Sequence, residues 1–136
     1  MKDTELKREK ARALYAIYRE GLERGCFASM RDAGEYLSHQ PAPRFFIDPR
    51  QASLLIGKIL SNVSLINLNS QQRRMILRLY KDYKAFIAEN PHTNLSRERI
   101  LEILVEAPAP SFYMTPEAIR KALRKEVRFI RSSWGW

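Results

Sequence analysis

The chain holds one cysteine, Cys26, in 136 residues, and that scarcity removes several kinds of chemistry at once. An intrachain disulfide is excluded, and so is a zinc site built on cysteine pairs; a reducing, cytoplasmic setting is the expectation. Histidine is nearly as scarce: neither His39 nor His92 has a cysteine or carboxylate at metal-ligand spacing, and both are expected at the surface. The five glycines form no phosphate-binding loop and no Gly-x-Ser-x-Gly elbow, and no two carboxylates share an apolar setting. These absences point to a protein that is not an enzyme and needs neither metal nor cofactor. Long hydrophobic runs are missing too. The stretch from Leu54 to Leu60 is broken by Gly57 and Lys58, and Met1 to Lys10 is charged where a signal peptide would be greasy. No membrane partner is expected.

Acids are in short supply as well: 15 of them face 24 lysines and arginines, leaving +9. Such a surplus attracts polyanions. With 45% hydrophobic and 29% charged residues, the chain has the composition of an ordinary folded domain, and its length suits one domain or two very small units.

What is present is a repeat. Residues 40–49 read QPAPRFFIDP, and residues 107–116 read APAPSFYMTP. Upstream, Ser29, Glu35 and Leu37 match Ser96, Glu102 and Leu104 at the same offset. After a small change of loop length, Leu14, Tyr15 and Tyr18 match Leu79, Tyr80 and Tyr83. The halves 1–68 and 69–136 are therefore expected to be two copies of one unit.

Each copy predicts three helices. The first has Leu14, Ile17, Tyr18 and Leu22, or Ile76, Leu79, Tyr80, Tyr83, Phe86 and Ile87, at helical spacing, and stops at Gly25 or at Asn90-Pro91. The second opens on Ser29 or Ser96 as N-cap and turns Met30, Ala33 and Leu37, or Ile100, Ile103 and Leu104, inward. The third starts with Pro49 or Pro116 behind Asp48 or Thr115. Its apolar stripe is Ala52, Leu55, Ile56, Ile59 and Leu60 in one copy, and Ile119, Leu123, Val127 and Ile130 in the other. The fold class expected is all-α: two tandem three-helix units sharing one core in one compact domain, loosely helix-turn-helix-like.

Proline locks its own φ and pushes its predecessor out of the helical region, so Pro-Ala-Pro holds the link between second and third helices extended. In an extended segment Phe45 and Ile47 point one way and Arg44 and Phe46 the other, leaving one face for a core and one for a partner. A short β-bridge between the two extended segments is a further possibility. The segments PAPRFFIDPRQA and PAPSFYMTPEAI, with their leading Leu-Tyr-x-x-Tyr helices, resemble a pattern in small basic tandem-repeat proteins of gut bacteria and their phages or mobile elements. That resemblance implies a repeat architecture and carries over no activity.

The functional expectation rests on cation placement. Arg120, Arg124, Arg128 and Arg131 recur at steps of four, four and three, Lys121 and Lys125 widen the stripe, and Glu117 and Glu126 are the acids nearby. Such a strip suits phosphates, which makes a nucleic acid, duplex DNA first, the expected partner. Arg44 is a candidate for closer contact, and Arg73, Arg74 and Arg78 form a second cationic group. The alternative is an assembly or adaptor protein that grips a protein partner with Phe46, Tyr113, Trp134 and Trp136. Cys26, just past a helix end, reads as a small core or loop residue.

Overall fold

The computed structural model describes residues 3–65 and 67–133. Among them are six helices and no strands: α1 (Asp3–Glu23), α2 (Met30–Ser38), α3 (Pro49–Leu60), α4 (Ser70–Glu89), α5 (Arg97–Val105) and α6 (Pro116–Ser133). The all-α expectation holds. Ala42 and Ala109, the centres of the two Pro-Ala-Pro segments, each adopt single-residue β-bridge geometry.

The helix ends follow from local chemistry. Ser29 and Ser96 accept hydrogen bonds from the backbone N–H groups of Asp32 and Arg99, and Asn69 forms a full capping box with Gln72. Thr115 accepts from the Ala118 N–H, whereas Asp48 holds the N-cap position of α3 without a side-chain cap bond. Gly25, at φ 67°, closes α1: its N–H donates to the Leu22 carbonyl while the Cys26 N–H reaches Gly21. Asn62, at φ 58°, ends α3 in the same way, with its own N–H on Ile59 and that of Val63 on Lys58. Cys26 is exposed, so of its two expected settings it takes the loop.

The helices assemble differently from the expected halves. One compact unit comprises residues 1–42 and 110–136; the other comprises residues 43–109. Unit 1 therefore joins α1 and α2 to α6, and unit 2 joins α4 and α5 to α3. Thus α6 packs with α1 and α2, and α3 with α4 and α5. Neither unit coincides with 1–68 or 69–136. The chain changes unit between Ala42 and Pro43, and again between Ala109 and Pro110. Both changes fall inside Pro-Ala-Pro, and the physical reason is plain: two locked prolines keep the chain from folding straight back, so the following helix leaves its own hairpin. A helix-turn-helix of neighbouring helices is not formed, because α2 and α3 belong to different units.

Within unit 1, α6 lies against α2 and α1, and Leu14, Leu37, Phe112, Ile119 and Leu123 are buried. Within unit 2, α3 lies against α5 and α4, burying Phe45, Ile56, Ile76, Leu79 and Leu101. Each such side chain contributes about 1.5–3 kcal/mol through removal from water. The inward face of α5 departs from expectation. Ile100, Leu101 and Val105 are buried, whereas Ile103 is 52% exposed. Leu22, Leu60 and Ile87 are likewise exposed at the ends of their stripes. No helix among the described residues is long and apolar enough to cross a membrane.

Candidate nucleic-acid interface

The site of interest is α6 in unit 1. At 3.6 residues per turn, its buried residues Ile119, Leu123 and Glu126 share one side. Lys121 and Arg128 come out opposite them, with Arg124 and then Arg131 farther round, and all four are exposed, as is Glu117 on the same side. Lys125 is exposed as well, toward α1.

The electrostatics turn on Glu126. It is 4% exposed, and its carboxylate accepts a hydrogen bond from Arg8 of α1 at 2.9 Å. The same guanidinium lies 3.6 Å from the Phe129 ring centroid. The acid in the middle of the cationic run is thus turned away from it and neutralised by a different helix. No ion pair to Lys121, Arg124, Lys125, Arg128 or Arg131 is formed among the described residues.

Arg120 is separate from this group. It crosses α2, donates to the Arg31 carbonyl at 3.3 Å, and borders a polar cleft of about 430 Å³ with Asp32, Glu35 and Glu117. Its work is to join α6 to α2.

The other expected contact residues are occupied. Arg44 is buried, not presented to a partner: its Nε donates to the Phe45 carbonyl at 3.1 Å, and its Nη1 lies 3.3 Å from Glu106. The extended segment turns sharply here, with the Ile47 N–H on the Phe45 carbonyl, so simple alternation of faces breaks down. Arg73 donates to the carbonyls of Leu65 and Leu68, Arg74 to Gln71, and Arg78 pairs with Asp82 at 3.1 Å. The second cationic group is therefore held by its own surroundings.

The proposed partner anchors fare differently from one another. Phe46 is half-buried and Tyr113 is 9% exposed, at φ 53° with its N–H donated to Ser111 Oγ. Trp134 and Trp136 lie outside the described residues. His39 and His92 are exposed, and among the described residues no cluster of three His, Cys, Asp or Glu side chains is placed to hold a metal ion.

Sequence reasoning missed two features of unit 1. One is Arg8, which neutralises Glu126. The other is an aromatic cluster: Tyr18 stacks on Phe27 at 5.5 Å, with Tyr15 and Tyr36 at its ends. A hydrogen bond with Cys26, and then burial, raise the Tyr36 hydroxyl above its ordinary pKa. The signal for the cluster was the spacing of Tyr15 and Tyr18 from the Gly25 turn that brings Phe27 back.

No protein-family model, curated protein or solved structure matches the chain.

Proposed function

We propose that the protein binds nucleic acid without catalysing a reaction, and that duplex DNA is held through the outer face of α6. One observation carries the reading: Glu126 is buried against Arg8, so Lys121, Arg124, Lys125, Arg128 and Arg131 stand exposed with no ion pair to a carboxylate among the described residues. From Lys121 to Arg131 the helix rises about 15 Å, a span that meets several consecutive phosphates of a duplex. Arg44, Arg73 and Arg78 drop out of the contact set because their guanidiniums are committed within unit 2. Burial of Tyr113 weighs against proline-aromatic loops as protein anchors.

The test is fluorescence anisotropy of a labelled duplex at graded salt. Five phosphate contacts predict a slope of about −4.5 in log K against log salt, which amounts to a several-hundredfold loss between roughly 50 and 200 mM. Charge reversal at Arg124, Arg128 and Arg131 together should abolish binding at all but the lowest salt. A nearly flat salt dependence, or unchanged affinity after that reversal, ends the proposal.

A further inference from the structure

Unit 1 contains a groove of about 580 Å³ between α1 and α6, separate from the outward arginines. Its apolar lining comes from Ala11, Leu14, Met114, Ala118, Ala122 and Phe129, and the paired Arg8 and Glu126 line it as well, with Arg8 over the Phe129 ring. Lys7 and Lys10 of α1 and Lys121 and Lys125 of α6 line it too, so each wall supplies cations.

The repeat shows why the groove is there. The Pro-Ala-Pro segments align at an offset of 67 residues, which sets Ala122 against Leu55; the first helices align at 65, which sets Ala11 against Ile76. Leu55 and Ile76 are buried in unit 2, 6% and 0% exposed. Where unit 2 has these buried branched side chains, unit 1 has two alanines lining an opening.

The dimensions limit what fits. Lining residues run from Thr4 to Leu14 on α1 and from Ala118 to Phe129 on α6, about 15 Å along each helix. That is three turns, the length over which a helix sets down apolar anchors at i, i+3 or i+4, and i+7. A single-headed amphiphile needs its cations converging at one end; here they lie on both walls. A nucleic-acid backbone gains nothing from an alanine floor.

We propose that this groove docks an acidic amphipathic helix of a partner protein, its apolar stripe on the alanine floor and its carboxylates meeting the lysines of both walls. Lys10 supports the reading independently. Burial depresses its ammonium below the ordinary lysine pKa, and it forms no ion pair among the described residues. An arriving carboxylate reverses that penalty. The inference does not rest on DNA binding: Lys121 and Lys125 border both surfaces, but Arg124, Arg128 and Arg131 do not line the groove.

The experiment titrates the isotope-labelled full chain with a synthetic helical peptide of about four turns, bearing leucines at i, i+3, i+4 and i+7 flanked by glutamates, and follows amide shifts. The expected result is saturable shifts confined to residues 4–14 and 118–129. A peptide of equal charge with serine for leucine should bind at least about tenfold more weakly, as should the peptide to the Lys7→Glu, Lys125→Glu double variant. Both lysines are exposed, so the fold is retained; Ala122→Phe, which fills the floor, gives a second block. Arg124→Gln, Arg128→Gln, Arg131→Gln should lose duplex DNA and keep the peptide, which separates the two readings. The proposal is overturned by absence of shifts, by equal binding of the serine peptide, or by a DNA duplex moving the floor amides in the peptide's place.

Discussion

Units 1 and 2 have the same helices in the same roles, yet they solve the same contacts with different chemistry. Unit 1 holds 14 lysines and arginines against 9 acids, and unit 2 holds 10 against 6. The surplus is nearly equal, so net charge does not set them apart. Placement does. In unit 2 the prominent arginines are tied to carbonyls, glutamine or carboxylates of their own surroundings; in unit 1 the one central acid of α6 is buried and the cations are left over. Unit 2 uses its arginines in structural contacts, whereas unit 1 keeps those of α6 at the surface.

The comparison is sharpest at the level of the exchanged helices, and the largest expected effect breaks it outright. Cutting the chain in the α3–α4 connection gives fragments 1–64 and 65–136, neither of which contains a complete unit. Each alone should lack a cooperative unfolding transition, because α1 and α2 are without α6, and α4 and α5 without α3. Mixing the two should restore helicity and cooperativity in circular dichroism. A fragment that folds by itself with native-like stability would show that each third helix also packs on its own hairpin.

Next in size is the contact between first and third helix. Arg8 aligns with Arg73, and Glu126 aligns with Ile59. In unit 1 the arginine reaches a glutamate with 5% side-chain exposure; in unit 2 an isoleucine stands there and Arg73 turns to the loop carbonyls. Arg8→Ala leaves Glu126 buried and unpaired and should cost about 1–3 kcal/mol, less than a fully enclosed pair because Arg8 is a third exposed. Arg73→Ala, at an exposed site, should fall within about 0.5 kcal/mol of the parent. Urea unfolding of both variants measures the difference. The double variant Arg8→Leu, Glu126→Leu should recover most of the loss.

Much of the fold was legible in the sequence because its signals are local. Serine and asparagine caps, the glycine stop of α1 and the proline starts of α3 and α6 act within a few residues, and periodicity marked all six helices. The exchange of third helices was not legible. The stripes of α3 and α6 are chemically alike, so nothing in either tells which hairpin it will meet; the information lies in the stiffness of Pro-Ala-Pro, which excludes the nearer one. The inward face of α5 slipped for a related reason: the run Ile-Leu-Glu-Ile-Leu-Val offers two overlapping stripes, and packing with α3 selects Leu101 and Val105 over Ile103. At the candidate site, the stripe of α6 was readable from spacing. The burial of Glu126 was not, because its partner lies more than a hundred residues away, and Arg44 was misplaced because extended alternation says nothing of a turn that buries it.

The glycines give the next contrast. A Cβ at Gly34 of α2 would lie 2.7 Å from the Pro116 carbonyl and 2.8 Å from Arg120 Cγ, so backbone stands in its way. At Gly57 of α3 the nearest atom is Arg97 Nη2 at 2.8 Å, the far end of a side chain whose Nε donates to Ser53. Both units lay an arginine across a helical glycine, but from opposite members of the pair. Gly34→Ala should destabilise by about 1–3 kcal/mol through overpacking. Gly57→Ala should be near neutral: the helix gains up to about 1 kcal/mol in propensity while Arg97 gives up its hydrogen bond. Thermal melts of the two variants decide it, and equal losses would mean that Arg97 is held as firmly as backbone.

The smallest effect concerns Lys10, which aligns with Met75 in unit 2. Burial lowers the Lys10 pKa below 10.5, so the folded chain releases this proton before the unfolded chain does. Between the depressed value and 10.5 the unfolded state holds more protons, and stability rises with pH across that window; below it both states are charged and the cost of burying the ammonium is present in full. Lys10→Met, which makes unit 1 resemble unit 2, should therefore stabilise the protein at neutral pH and flatten the alkaline rise. Tyr36, raised from 10.0, pulls the other way as pH climbs, but it contributes equally to parent and variant and cancels in the difference. Denaturant unfolding of the pair at neutral pH and near pH 10 gives that difference directly. A variant less stable than the parent at neutral pH would mean that the ammonium is solvated through the groove, and the same result would remove Lys10 from the set of cations awaiting a carboxylate.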